Sequence, residues 1–291
     1  MHNKLKGTVL AIFSAIIFGT APLFAKAIYS CGSNAMTFTV HRTVVCTILL
    51  FIVQTLYVKE PLRITWNELK KLFICSIGFV LTPILLYSSY NYISSGLSTT
   101  IHFVYPVLVV ICCLAFFREK LTVKKAVCCV LCMAGIVCFY TPDGSISFTG
   151  ILIAFLSGIT YTFYVVYLDK SGLQDIHPIK LGFWLNLLCS VEVIIASLCM
   201  NQLTFDLQPI AWGASILFAA ICCAAVIAFQ EGVKYVGSQS ASLLSAFEPV
   251  TSVVLGILVF HEQLTFLSAL GIVSILVSVI LLSAEKSTES E

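Results

Sequence analysis

Charged and hydrogen-bonding side chains are costly inside long apolar runs, so each one found there is a candidate for chemistry. Glu248 stands in the run 238–260, and His102 and Tyr105 stand in the run 95–117. A carboxyl so placed can hold an ammonium group or exchange a proton. It can also sit protonated and hydrogen-bonded within a helix bundle. His102 can share a proton with Glu248, bond a bound molecule, or be a core histidine with its bonds satisfied. Arg42 lies eight residues inside the run 34–57, about 12 Å deep at 1.5 Å per residue. Its guanidinium can attract a carboxylate, pair with a buried acid or reach back to the headgroups.

The remaining polar residues fall in stripes. Ser98, His102, Tyr105 and Val109 recur at helical spacing and are read as one face. Tyr87 and Gln230 are candidate cavity groups. Ser157, Tyr161 and Tyr164 form a stripe that serves either as an aromatic cavity wall or as packing. Glu231 and Lys234, three residues apart on one helix, are expected to pair with each other near the membrane surface. Lys26 is expected to snorkel outward, and Glu192 to be a structural partner or a second titrating group.

The elements that position these groups are membrane-spanning. The chain is 59% hydrophobic and 10% charged, against roughly 25% charged in soluble domains. Runs of about 20 apolar residues cross a bilayer as helices. Ten such runs are expected, over residues 7–29, 34–57, 68–92, 95–117, 122–140, 147–168, 178–200, 209–235, 238–260 and 264–283. The first run is too long, and lacks the small-residue site, to be a cleaved signal. Little chain lies outside them, so a soluble catalytic domain is excluded. Residues 285–291 read as a disordered tail.

The runs form two copies of one pattern. Pro106 and Pro249 stand 143 residues apart, and the same offset pairs Gly7 with Gly150, Tyr92 with Tyr235, Glu119 with Glu262 and Thr122 with Thr265. It also carries His102 onto Ser245 and Tyr105 onto Glu248, so both polar stripes stand just before the repeated prolines. The halves are residues 1–143 and 144–284.

Charge gives the direction of each half. With the N-terminus inside, Lys and Arg gather in the cytoplasmic segments, while the opposite loops carry Asp143, Asp206 and Glu262. Both termini are then cytoplasmic. Five runs per half invert the second copy: basic Arg118–Thr122 faces in, and its counterpart His261–Thr265, stripped of Lys and Arg, faces out. The fold class is an all-α polytopic membrane protein of ten helices in two inverted five-helix repeats.

The thirteen cysteines lie almost wholly inside the runs and read as small buried hydrophobes, without disulfides or a metal site. Nothing resembles the Gly-x-x-x-x-Gly-Lys-Ser/Thr phosphate loop. No cofactor and no nucleic-acid partner is expected.

A mid-span proline, then Phe-x-Glu-x-Leu-Thr, then a helix with spaced glycines occurs in both halves. The first copy has Pro106, Phe117, Glu119, Leu121, Thr122 and Gly135; the second has Pro249, Phe260, Glu262, Leu264, Thr265 and Gly271. This pattern resembles the EamA-type half of the drug/metabolite transporter superfamily. The resemblance implies a ten-helix carrier with a central cavity lined by the first, third, fourth, sixth, eighth and ninth helices. An arginine like Arg42 is frequent in the family's second helix. Physics agrees with the layout, since inverted repeats hold a midplane site at their interface and alternate its access.

The function expected is therefore a secondary carrier of small metabolites in a bacterial cytoplasmic membrane, an exporter of amino acids or related amphipathic compounds. Its expected substrate-binding residues are His102, Tyr105, Glu248, Ser245, Tyr87, Gln230, Tyr161, Tyr164 and Arg42. The partners are a small-molecule substrate and the lipid bilayer, with protons a candidate coupling ion. A flippase for a lipid-linked sugar is the alternative. An intramembrane enzyme would need a nucleophile–base pair or ligand cluster that the spacing of His41 and His102 does not supply.

Overall fold

The computed structural model describes residues 2–59, 61–93, 95–138, 147–260 and 266–283. Expectations resting on the connection 141–146, His261–Thr265, the tail from residue 285 and the side chain of Lys26 lie outside the described residues. Every regular element among the described residues is helical. In chain order these are α1 (His2–Phe18), α2 (Ala21–Tyr29), α3 (Ala35–Val53), α4 (Trp66–Ser89), α5 (Ser95–His102), α6 (Tyr105–Phe117), α7 (Val123–Val137), α8 (Phe148–Lys170), α9 (Pro178–Cys199), α10 (Pro209–Leu244), α11 (Phe247–Phe260) and α12 (Phe266–Ser283). A π-helical turn, Gln54–Val58, extends α3, and a single 3-10 turn, Leu173–Asp175, follows α8.

Among the described residues, seven segments are long and apolar enough to cross a bilayer: Asn3–Tyr29, Ala35–Val58, Trp66–Ser89, Ser98–Phe117, Phe148–Lys170, Pro178–Cys199 and Pro209–Leu244. The last is 36 residues long. A straight helix of that length would run about 54 Å, well beyond a hydrocarbon core of about 30 Å. Gly237 relieves this, with φ 75° and ψ 165° inside α10. That backbone conformation is essentially open to glycine alone.

Prolines set the other breaks. Proline has no N–H to bond the carbonyl four residues back, and its ring crowds that carbonyl. Pro22, Pro106 and Pro249 so remove the helical bond to the carbonyls of Phe18, His102 and Ser245, the last of which accepts from the Glu248 N–H instead. The chain leaves the helix at Gly19–Thr20, Phe103–Val104 and Ser245–Ala246 accordingly. Pro83 is held inside α4 without such a break. The stripe Ser98–His102–Tyr105–Val109 is therefore not one continuous helical face. It crosses the break between α5 and α6, although all four residues are buried.

Local capping accounts for part of the repeated motif. Thr122 caps α7, its Oγ1 accepting from the Lys125 N–H at 3.2 Å. Thr65 and Glu68 cap α4 reciprocally.

The two halves make matching contacts. A Cβ on Gly7 would meet Tyr235 Cβ at 2.6 Å, and one on Gly150 would meet Tyr92 Cβ at 2.8 Å. Offset by 143 residues, these are the same contact made twice, α1 on α10 and α8 on α4. Helix α3 runs antiparallel to α9: Thr37 bonds the Gln202 carbonyl at 3.2 Å, and Phe51 meets Phe183 with ring centroids 5.9 Å apart. Between them the hydroxyls of Thr47 and Ser190 approach to 3.3 Å, although the two residues are themselves 143 apart.

Helices α7 and α12 cross the same way. Cys128 Sγ bonds the Ser278 carbonyl at 3.3 Å, and a Cβ on Gly135 would lie 2.8 Å from the Gly271 carbonyl oxygen. Neither backbone can yield without separating the helices. Gly135→Val is expected to destabilise the fold by about 1–3 kcal/mol, read as a drop in melting temperature in detergent. An unchanged melting temperature would mean that the crossing is looser than described.

Candidate functional site

The breaks in α1/α2, α5/α6 and α10/α11 border a cavity with about 630 Å³ of space between atoms, part of it open to the outside. Its wall is mostly apolar and aromatic: Phe18, Ala21, Phe79, Pro83, Leu86, Tyr87, Tyr90, Tyr161, Tyr164, Val226 and Phe229. Thr82, Arg42, His102 and Glu248 add hydrogen-bonding and charged groups. Four pairs of lining residues are related by the 143-residue offset: Phe18 with Tyr161, Ala21 with Tyr164, Pro83 with Val226, and Leu86 with Phe229. The cavity thus takes equivalent positions from both halves. The other polar groups break that equivalence, because Arg42, Thr82, His102 and Glu248 match Leu185, Ala225, Ser245 and Tyr105.

Arg42, on α3, is 5% exposed, and its guanidinium carbon lies 5.5 Å from the centre of the Phe79 ring. Its Nε and Nη2 have no hydrogen-bond partner among the described residues, nor does the side chain form an ion pair with a described acid. The side chain turns into the cavity and does not reach for the headgroups. Two partnerless donors of a planar fork, on a residue that lines the cavity, suit a carboxylate.

Glu248 sits in the first turn of α11, where its N–H bonds the Ser245 carbonyl at 2.9 Å. Its own carbonyl packs on Gly19, where a Cβ would come within 2.6 Å. The counterpart contact is a hydrogen bond, Thr162 Oγ1 donating to the Tyr105 carbonyl at 3.4 Å. The same backbone junction is therefore built with glycine in one half and threonine in the other.

His102 is 4% exposed, and its Nδ1 lies 2.8 Å from Ser157 Oγ. That hydroxyl donates its one proton to the Ala154 carbonyl at 2.6 Å. Nδ1–H must then be the donor to Ser157, leaving Nε2 as an acceptor. Sharing of a proton between His102 and Glu248 is not seen; the partner is Ser157, because the break after His102 turns the ring onto α8. Around it the rings of Tyr105 and Tyr161 lie 5.2 and 5.5 Å away.

Six of the nine residues expected from the sequence line the cavity: Arg42, Tyr87, His102, Tyr161, Tyr164 and Glu248. Three stand behind its wall. Tyr105 is fully buried and packs edge-on against Tyr161, with centroids 4.6 Å apart. Ser245 donates to the Ala241 carbonyl at 3.0 Å, and Gln230 is 2% exposed. Sequence reasoning missed Phe79, Thr82, Pro83, Leu86, Tyr90, Val226 and Phe229. The offset held a signal for four of them, since Leu86 and Phe229 are counterparts of each other, as are Pro83 and Val226.

Two further expectations change. Glu231 pairs with Lys6 of α1 at 3.6 Å and not with Lys234, because α10 packs directly on α1. Lys6 also donates to the Tyr235 hydroxyl at 3.1 Å. Glu192 accepts a 2.6 Å bond from Ser76, which joins α9 to α4 away from the cavity. Among the described residues, no group of three His, Cys, Asp or Glu is placed to hold a metal.

A repeated, all-helical chain with several bilayer-length apolar segments around a central cavity defines a multi-pass membrane protein. The model of the EamA-like transporter family matches twice, over residues 5–141 and 148–284, and the chain belongs to that family. Among its relatives is the uncharacterized transporter sll1319 of Synechocystis sp., 24% identical over 319 residues, covering 99% of this chain and 96% of that one. The uncharacterized transporter YvbV of Bacillus subtilis is 26% identical over 302 residues, covering 98% and 94%. A crystal structure of another protein superposes with a TM-score of 0.79 at 14% identity, over 94% of this chain and 95% of that one, which establishes likeness of fold.

Proposed function

We propose that the protein is a secondary carrier that exports amino acids or related amphipathic metabolites across a bacterial cytoplasmic membrane. It works by alternating access between two inverted five-helix halves, residues 1–143 and 144–284, with ten crossings and both termini in the cytoplasm. The antiparallel pairs α3/α9 and α7/α12 support inversion, since each pairs a helix with its own counterpart. Two equivalent helices that run antiparallel are related by an axis across them, which for spanning helices lies in the membrane plane.

The observation that carries the substrate class is that Arg42 and Glu248, not joined in an ion pair, both line one mostly apolar and aromatic cavity. Arg42 takes the carboxylate and Glu248 the ammonium group. Tyr87, Tyr161 and Tyr164 cover the apolar body, and His102 Nε2 accepts a hydrogen bond. Tyr105, Ser245 and Gln230 support this lining from behind. In this reading, Glu248 gives up its proton when the ammonium arrives and regains it on release, which couples transport to protons.

Counterflow of labelled amino acids in proteoliposomes, with and without a pH gradient, tests the reading. Native protein is expected to respond to the gradient, and Glu248→Gln to lose that response while still exchanging substrate. A gradient-independent native rate, with a fully active Glu248→Gln variant, removes proton coupling. Absence of counterflow for every amino acid removes the substrate class.

A further inference from the structure

A second polar cluster lies away from the cavity, where the ends of α6 and α8 meet the bend of α10. Helix α6 closes with Arg118 at φ 54°, and the Arg118 and Glu119 N–H groups return to the Cys113 carbonyl, which sets Glu119 beside the end of α8. Lys170 Nζ pairs with Glu119 Oε1 and, at 2.9 Å, with Asp169 Oδ2. Gln239 donates to Glu119 Oε2 at 2.5 Å, and Ser238 donates to Asp169 at 2.9 Å. Since Ser238 has spent its proton, the Cys113 thiol is the donor in its 3.4 Å contact with Ser238.

Glu119 and Cys113 belong to the first half, while Asp169, Lys170, Ser238 and Gln239 belong to the second. The cluster therefore ties the halves together. It lies five to six residues beyond Tyr164 on α8, about 8–9 Å along the helix from the cavity wall. Gly237, the one non-helical residue inside α10, immediately precedes the two α10 members.

The repeat says what the opposite end holds. The 143-residue offset carries Lys170 onto Ala27, Gln239 onto Gly96 and Cys113 onto Gly256, but Asp169 onto Lys26, Glu119 onto Glu262 and Ser238 onto Ser95. The amide and the thiol are replaced by glycine in the counterpart segments, and the ammonium moves by one position. The cluster is therefore not repeated residue for residue.

We propose that Lys170, clamped by Glu119 and Asp169 and seconded by Ser238 and Gln239, is a latch that holds the cavity shut at the end assigned to the cytoplasm, with Gly237 as the joint that lets it part. The proposal rests on the alternating-access reading above. Breaking the latch shifts the population toward the state open at that end.

Cys113 is fully buried inside the cluster and reports its opening. The full-length chain is reconstituted in vesicles of known orientation and treated with a membrane-impermeant maleimide from either face. Modification of Cys113 is then followed by peptide mass spectrometry. Lys170→Met is expected to speed labelling from the latch face about fivefold, the upper range for a partly exposed ion pair. Lys170→Arg is expected to keep the native rate. Glu119→Gln carries the same test where Lys170→Met lowers the yield of folded protein. Unchanged labelling in Lys170→Met or Glu119→Gln, or equal acceleration from both faces, overturns the latch. Labelling needs no substrate, so a chain that carries no amino acid still tests the latch, and native counterflow with unchanged labelling overturns the latch alone.

Discussion

Replacing Arg42 by Gln is expected to cut transport of a carboxylate-bearing substrate by about ten- to a hundredfold and to raise the melting temperature. The first effect follows from the two guanidinium donors that have no hydrogen-bond partner among the described residues, on a side chain that lines the cavity. Hydrogen bonds to a charged group contribute about 1.5–3 kcal/mol, and each 1.4 kcal/mol is about tenfold in affinity. The second effect has the opposite sign for the same reason. A buried charge with no counter-charge costs the fold free energy, and a neutral amide of similar length relieves that cost. For a chain of this size, 1 kcal/mol moves the midpoint by about 2–4 °C. Arg42→Lys keeps the charge but loses the planar fork, so it should fall between the two. Counterflow and thermal unfolding on the same preparations decide the matter. Full transport by the Gln variant, or a lower melting temperature, would falsify the carboxylate role.

Gly19→Val should be the most damaging single change near the cavity. A Cβ there would come within 2.6 Å of both the Glu248 carbonyl oxygen and Thr251 Cβ. The first of these is backbone, fixed by the bond from Glu248 N–H to Ser245 and by Ser252 Oγ donating to the Gly19 carbonyl at 2.8 Å. No rotamer change makes room, so the cost is overpacking, about 1–3 kcal/mol or more. The displaced group is the turn that presents Glu248. Transport should therefore fall further than the loss of folded protein explains. Gly213→Ala is the control, since a Cβ there meets nothing within 4 Å. That variant should be neutral or slightly stabilising, because alanine favours a helix by about 0.5–1 kcal/mol. Equal behaviour of the two variants would count against the close packing of α1/α2 on α11.

The sequence was informative about what repeats and poor about what neighbours what. Pro106 and Pro249 could be read as helix breakers because proline acts on its own backbone. Of the residues mapped onto each other, His102 and Glu248 line the cavity, while Ser245 and Tyr105 stand behind its wall. For Tyr105 the break at Phe103–Val104, inside the stripe, interrupts the shared face. A spacing of three residues specifies a shared face only where the helix is continuous. Glu231 failed for a different reason. Intrahelical spacing offered Lys234, but α1 packs on α10 and brings Lys6 to it. Phe79, Thr82, Leu86 and Tyr90 recur at helical spacing along α4, but spacing alone does not say which face of the helix meets the cavity, since that depends on how α4 leans against α8.

Thr47 and Ser190 are counterparts that touch each other. If the carrier turns over by letting each half adopt the shape of the other, every distance between residues i and j is exchanged for the distance between their counterparts. For this pair the exchange returns the same two residues. Their separation is therefore a constant of the cycle, a fulcrum that stays put while both ends of the protein move. It is the natural zero mark for any ruler laid along the molecule: labels at the two mouths should change distance in opposite senses, while a pair at this crossing should not change at all.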